Sequence, residues 1–427
     1  MSEKGKTVLI LGNGFDLAHD LPTRYSDFLE FCKKVEEIWN YKKWKDNAEQ
    51  NINDFRENSI KNWKINSMIK EGILAAFIGR KIESNDDGST KITSDNVGLS
   101  EIHDCLHDNV WYDYLLELYK DHCVQGENWI DFESEIRFII KTIDENKKLS
   151  TDTWQDVIKE VLKMSKNQKL EKFNIVLRFA EYAKKKGVSQ IHIPTIRDFR
   201  EKAFEDLERL TRALELYLLT FVEKIPIDKK QPEISDIIPD YVITFNYTHT
   251  YERLYNKGMV YHIHGETDEN RPSEENNMVL GIDEYWQEDK KDEKTYFTIF
   301  KKFAQRIQKH TGNDGYRYLK KIKKIFKRNG KVWGGDVSTS KDHPKGVSCI
   351  YVFGHSLDVT DKDILSGFIG SNATAVTIYC RDRGTEGELI ANTIKLIGEK
   401  QLLEKSNHSP AKLKYIIQKE PVECSTS

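Results

Sequence analysis

Residues 7–16 read TVLILGNGFD, five β-branched or aliphatic side chains running straight into Gly12, Asn13, Gly14, Phe15 and Asp16. A short apolar run that stops at glycine shows no polar face to water, the pattern of a strand buried on both sides of a parallel sheet. Glycines at a strand's end let the backbone approach another group closely. A helix starting there offers N–H groups and the positive end of its dipole, which suits a phosphate. After Pro22, the segment from Tyr25 takes up helical spacing to about Glu37. Strand, glycine turn and helix form the first half of a nucleotide-binding βαβ unit.

The strand signal returns only at Tyr241 (YVITF), and again at Met259 (MVYHI), Met278 (MVLG), Cys349 (CIYVF) and Ala375 (AVTIY). The last two precede helix candidates, one of them Lys362–Ile369. Short apolar strands alternating with helices predict a parallel α/β sheet. Between the two strand-rich parts, Ile102–Tyr119, Trp129–Ile143, Trp154–Met164 and Leu170–Lys185 read as helices. So does the run behind Pro194, where Phe199, Ala203, Leu207, Leu210, Leu214, Leu218 and Phe221 follow steps of three and four. Residues 84–97 are polar and turn-rich and read as a loop. The expected layout is a Rossmann-like core from residues 1–40 and 231–427, with a mainly helical insertion at 41–230.

The 427 residues are 38% hydrophobic and 32% charged, with 66 basic and 69 acidic side chains and a net charge near −3. Such balance gives no global field for nucleic acid, which is not an expected partner. Tyr316–Lys331 reads as a helix, and its basic run Tyr318–Arg328 as the wet side of that amphipathic helix rather than a nucleic-acid contact. No stretch approaches the roughly 20 apolar residues of a membrane span. Six scattered cysteines include no C-x-x-C pair, which excludes a four-cysteine zinc ribbon and fits a reducing compartment. A cytoplasmic protein is expected, working as a homo-oligomer or with a protein partner.

In an open parallel sheet, ligands bind beyond the carboxyl ends of the strands. Four pieces of sequence stand at such ends. The first is the Gly12–Asp16 turn, where Asp16 could hold a ribose hydroxyl or cap the helix. The second is Thr244, Phe245, Asn246 and Tyr247, whose asparagine amide could hold a ribose hydroxyl or a water, or close a turn. The third is His262, Ile263, His264 and Gly265. On a strand both histidines share a face, but two histidines alone complete no metal site, so no metal is assigned. His262 reads as structural and His264 as a general base. The fourth is Gly354, His355 and Ser356, a second contact for a dinucleotide, followed by Asp361, read as the cap of the next helix.

These blocks carry a resemblance. GNGFDLAHDLPTRYSDFL (12–29), FNYTHTYERLY (245–255), HIHG (262–265), VLGIDE (279–284) and FGHSLDVTDKDIL (353–365) look like the signature blocks of the AbiH phage abortive-infection family, in order across most of the chain. NWIDFESEI, with Trp129, Asp131 and Glu133, resembles another of its blocks. A more distant likeness is to sirtuin-like proteins, with Gly12 and Pro22, Thr244-Phe245-Asn246, His264-Gly265 and Gly354-His355-Ser356 at matching places. Asp16, Asn13, Thr248 and Asp20 depart from that pattern, and its four-cysteine zinc module is missing, so lysine deacylation is not implied. The resemblance implies an NAD-binding core in which Asn246 and His264 serve the reaction at the ribose carbon bearing nicotinamide. It implies an anti-phage effector that cleaves NAD at that bond, with Gly12, Asn13 and Gly14 cradling the pyrophosphate. The alternatives are a nucleotide-sensing module without turnover, or a metal-dependent nuclease using His262, His264, Glu266 and Asp268.

Overall fold

The computed structural model describes residues 6–40, 48–84, 90–94, 96–126, 129–146, 196–272, 275–286, 294–311, 348–371 and 374–419. The helices expected at Trp154–Met164, Leu170–Lys185 and Tyr316–Lys331 lie outside these. The chain divides into two compact units, one of residues 1–21, 226–266 and 306–427, the other of residues 22–225 and 267–305.

The first unit is built on β1 (Thr7–Leu11), β2 (Tyr241–Thr244), β3 (Met259–His262), β4 (Ser348–Phe353), β5 (Thr374–Cys380) and β6 (Leu413–Ile417). They form one sheet in the order β3-β2-β1-β4-β5-β6, and every neighbouring pair is parallel. That is the strand order of the Rossmann fold, with the switch in the order of strand addition between β1 and β4. Among the described residues α1 (Asn13–Leu17), α2 (Thr250–Leu254), α3 (Lys362–Ile369), α4 (Arg383–Ile397) and α5 (Glu399–Ser406) belong to this unit. Alternate side chains of β1 enter opposite cores, as the two-residue repeat of a strand requires. Val8 and Ile10 join Ile350, Val352, Leu365, Phe368 and Ile378 on one face. Leu9 and Leu11 join Phe15, Val242, Tyr251 and Phe353 on the other. β6 lies beyond the expected strands, because LKYII is interrupted by a charged residue and stands at the sheet's rim.

Lys405 shows how tightly that rim is made. It is 2% exposed, and its Nζ donates to the carbonyls of Ser371 and Thr374 at the start of β5, at 2.5 and 3.4 Å. Burial, with Lys412 nearby, pulls its pKa from 10.5 down to about 8. Between those values the unfolded chain holds a proton that the folded chain has lost, so stability gains from this group as pH rises, and the burial cost is fully present below pH 8. We expect the wild-type melting midpoint to gain on that of Lys405→Met between about pH 7.5 and about pH 9.5. A constant difference would show that the charge carries no such cost.

The second unit is mainly helical. Its long helix Ile196–Tyr217 buries Phe199, Ala203, Leu207, Leu210 and Leu214, the expected face, and passes at Leu218–Val222 into a wider turn. The helix Tyr25–Trp39, expected in the core, belongs here instead. Tyr25 stacks on Phe132 at 4.2 Å, and Phe28 and Phe31 pack on Tyr217. The segment expected as one helix from 102 to 119 is two, Val97–Leu106 and Val110–Val124. Asp108 at φ +53° breaks it, and the Asn109 side chain caps the second by accepting from Trp111 and Tyr112 N–H. Part of the expected loop at 84–97 is a strand, since Thr90–Ser94 pairs antiparallel with Arg80–Ser84. Its Thr90, Ile92 and Thr93 are strand formers that outweigh the polar content. Met278–Leu280, expected as a strand, is buried but joins no sheet. Beyond it, the backbone of Ile282 bonds to Phe300 and Lys302, forming an isolated bridge.

Candidate active site

Register brings the four expected pieces to one edge of the first unit. Leu11, the last residue of β1, lies opposite Thr244 of β2 and Phe353 of β4, and Thr244 lies opposite His262 of β3. The segments beginning at Gly12, Phe245, Ile263 and Gly354 therefore all leave the sheet on its carboxyl side.

The two glycine turns are packed into each other. Gly14 N–H donates to the Gly354 carbonyl at 2.8 Å, and Gly12 N–H to that of Phe353 at 3.2 Å. A Cβ on Gly12 would stand 2.6 Å from the His355 Cα, and one on Gly14 would stand 2.8 Å from the Gly354 Cα. The missing side chains are thus accounted for by the neighbouring turn, with no phosphate needed to explain them. Phe15, expected beside a ligand, is 1% exposed and fills the core against Tyr251, Tyr255 and Phe353. Asp16 is also buried, and its carboxylate accepts from the Thr248 hydroxyl at 2.6 Å, itself 3.1 Å from that of Thr250. The pair where the sequence departs from the sirtuin-like pattern is one internal contact. Thr248→Val keeps the shape but removes the donor from a buried carboxylate, so it should cost about 1–3 kcal/mol of stability. An unchanged melting midpoint would exclude that role.

The Asp361 carboxylate is held between two imidazoles. It stands at the N-cap of α3 but makes no side-chain cap bond, contrary to expectation. His264 Nε2 donates to its Oδ1 at 2.9 Å, and His355 Nε2 is 3.7 Å from its Oδ2. The ring of His355 faces it with an N–H, because its Nδ1 accepts from Leu357 N–H at 2.9 Å. Phe245 lies edge-on to both rings, with centroids 5.3 Å from His264 and 4.3 Å from His355. His264 follows β3 and Asp361 follows β4, which are three strand steps apart in the sheet. That is about 14 Å, so the two loops curl inward over the ends of β2 and β1 to meet. His264 is 4% exposed and Asp361 7%. A buried charge so held is paired, as it must be.

Asn246 is 6% exposed. Its backbone is bonded, N–H to Thr244 Oγ1 at 3.1 Å and carbonyl from His262 Nδ1 at 2.9 Å. Both ends of its side-chain amide, however, are buried without a hydrogen-bond partner among the described residues. Native proteins leave few such groups, and each asks for a reason. Tyr247 is half-buried and Gly265 buried, while Ser356 is exposed and gives its carbonyl to Asn392.

His262 and His264 do not share an environment. β3 ends at His262, the chain turns through Gly265 at φ +85°, and His262 joins Glu252 at 2.8 Å instead. The sequence does not point to Glu252 or His249 near this histidine, because nothing in their spacing marks a loop and a short helix as neighbours of a strand end. In the second unit, Asp131 accepts from Glu133 N–H and Ser134 Oγ, and Glu133 pairs with Lys302 at 2.7 Å, so both serve local structure.

The sheet order and the groups gathered at its edge define a Rossmann-like α/β protein with a carboxyl-edge histidine–aspartate pair. Among protein families, bacteriophage abortive infection AbiH matches residues 8–379. The chain belongs to that family, which points to a role in abortive infection against phage. No curated protein and no solved structure matches it. Among the described residues no helix is long and apolar enough to cross a membrane.

Proposed function

We propose that this abortive-infection protein acts as an NAD glycohydrolase, releasing nicotinamide when infection is sensed. The observation that carries this reading is the Asn246 amide, buried at the carboxyl edge of a Rossmann sheet with both its donor and its acceptor unspent among the described residues. A ribose hydroxyl or an attacking water would satisfy it. Breaking the nicotinamide–ribose bond leaves positive charge on the ribose and requires water to lose a proton. With Nε2 donating to Asp361, the neutral His264 ring carries its lone pair on Nδ1 and takes that proton. The distant likeness to sirtuin-like proteins supports the same two residues. The pair is buried, so substrate entry requires the loops to open, which suits an effector held silent until triggered.

NAD measured in phage-infected cells is the test. It should fall with the wild-type chain and hold with His264→Ala, and nicotinamide should appear. Equal NAD levels in the two would end the reading. Asn246→Leu adds an independent measurement. Removing an unsatisfied buried amide should raise stability by about 1 kcal/mol or leave it unchanged, while NAD consumption is lost. A variant that melts earlier yet still consumes NAD would make Asn246 a structural residue.

A second reading, nucleotide sensing without turnover, is favoured by the interlocked glycine turns, which could transmit a bound nucleotide between the β1 and β4 loops. Calorimetry showing NAD bound by the purified chain, with no product from the triggered chain, selects it.

A further inference from the structure

We infer that His249, His262 and Glu266, with Glu252 beside them, form a binding site for a divalent cation of the zinc class. The inference stands apart from the NAD reading and survives its failure.

The three ligand atoms, two imidazole nitrogens and one carboxylate oxygen, lie within 4.8 Å of one another. His262 is set up as a ligand. Its Nδ1 faces the Asn246 carbonyl at 2.9 Å, and a carbonyl only accepts, so Nδ1 carries the hydrogen and Nε2 bears the lone pair in the neutral ring. This is the backbone-anchored arrangement that orients metal-binding histidines. That Nε2 then meets Glu252 Oε1 at 2.8 Å and Glu266 Oε2 at 3.6 Å, while His249 Nε2 stands 3.2 Å from the same Glu266 oxygen. In that neutral form the His262 Nε2 lone pair faces two carboxylates, and a cation between them relieves the mismatch.

The Glu266 distances have the spacing a metal ion would set. Charge-assisted N–H···O bonds run about 2.7–2.9 Å; the Glu252 contact is that short, and the two Glu266 contacts are longer, at 3.2 and 3.6 Å. Ligands bound at about 2.0–2.1 Å around a tetrahedral ion are separated by about 3.3–3.4 Å, which falls between the observed 3.2 and 3.6 Å. Glu252 supplies a further observation, for its second oxygen is buried with no hydrogen-bond partner among the described residues. Two imidazoles and a carboxylate favour zinc and its neighbours over calcium or magnesium, which take oxygen ligands. The His262 side chain, only 6% exposed, fixes one wall, while His249 and Glu266, 32% and 37% exposed, leave an approach open. Because His262 also holds the Asn246 carbonyl, the ion would brace the loop carrying that asparagine.

The test uses the full chain stripped with chelator, loaded with zinc chloride, and passed through a desalting column. Elemental analysis should find about one zinc per chain, and zinc should raise the melting midpoint. His249→Ala combined with Glu266→Gln, both at half-exposed positions, should weaken zinc binding at least about 100-fold while the apo midpoint stays near wild type. His264→Ala should bind zinc as wild type does. Wild-type protein that retains no zinc, a double variant that retains as much, or loss confined to His264→Ala would each overturn the site.

Discussion

Gly354→Ala should destabilise the first unit by about 2–5 kcal/mol, the largest stability loss of any single methyl group added to this chain's described glycines. Gly354 sits at φ +69°, where a side chain strains the backbone, and its Cβ would land 2.2 Å from Phe15 N and 2.5 Å from the Gly14 carbonyl carbon. Both obstacles are backbone, and both belong to the turn that closes β1, so neither can swing aside as a side-chain tip would. The left-handed conformation alone costs roughly 1–2 kcal/mol, and forcing extra volume into a packed interior adds about 1–3 kcal/mol. Gly387 makes the matching control. It lies inside α4, and a methyl group there would meet nothing within 4 Å, so Gly387→Ala should stabilise by about 0.5–1 kcal/mol through helix propensity. Chemical denaturation of the two variants should move in opposite directions. If Gly354→Ala melts with wild type, the two turns are not interlocked.

The sheet was legible because its strands are buried on both faces. TVLIL, YVITF and CIYVF have no polar alternation to confuse them with loops, and each stops at glycine or a small polar residue. The site was half legible for a related reason. Asn246, His264, Gly354 and His355 stand where strands end, and the topology of parallel sheets says that strand ends gather. What that rule cannot give is how far a loop reaches once it leaves its strand. Asp361 lies eight residues beyond the end of β4, and its partner His264 follows a strand three places away, so capping a helix was the nearer explanation for its side chain. The same limit hid His249 and Glu252, whose meeting with His262 depends on a loop folding back beside β3. The division of the chain departs from the pattern for another reason. The Tyr25–Trp39 helix reads as the crossover of a βαβ unit, but its aromatic residues are matched by Phe132 and Tyr217, far along the sequence.

On the proposed NAD cleavage, Asp361→Asn should lower turnover about as much as His264→Ala does, each by roughly 10²–10⁴-fold, with little change in KM. At 1.36 kcal/mol per decade, that is about 2.7–5.4 kcal/mol of transition-state stabilisation. The reasoning runs through the tautomer. An aspartate can only accept from His264 Nε2, which keeps the lone pair on Nδ1 for water. The asparagine amide can donate instead, allowing Nε2 to accept and moving the hydrogen to Nδ1, where it blocks proton abstraction. His355 cannot compensate, since its own Nδ1 is engaged by Leu357 N–H. Because histidine and aspartate act as one unit, the double variant should be no slower than His264→Ala alone. Losses that multiply would mean the carboxylate acts separately, for instance on the ribose cation, and Asp361→Asn turning over at the wild-type rate would remove the pair from the reaction altogether.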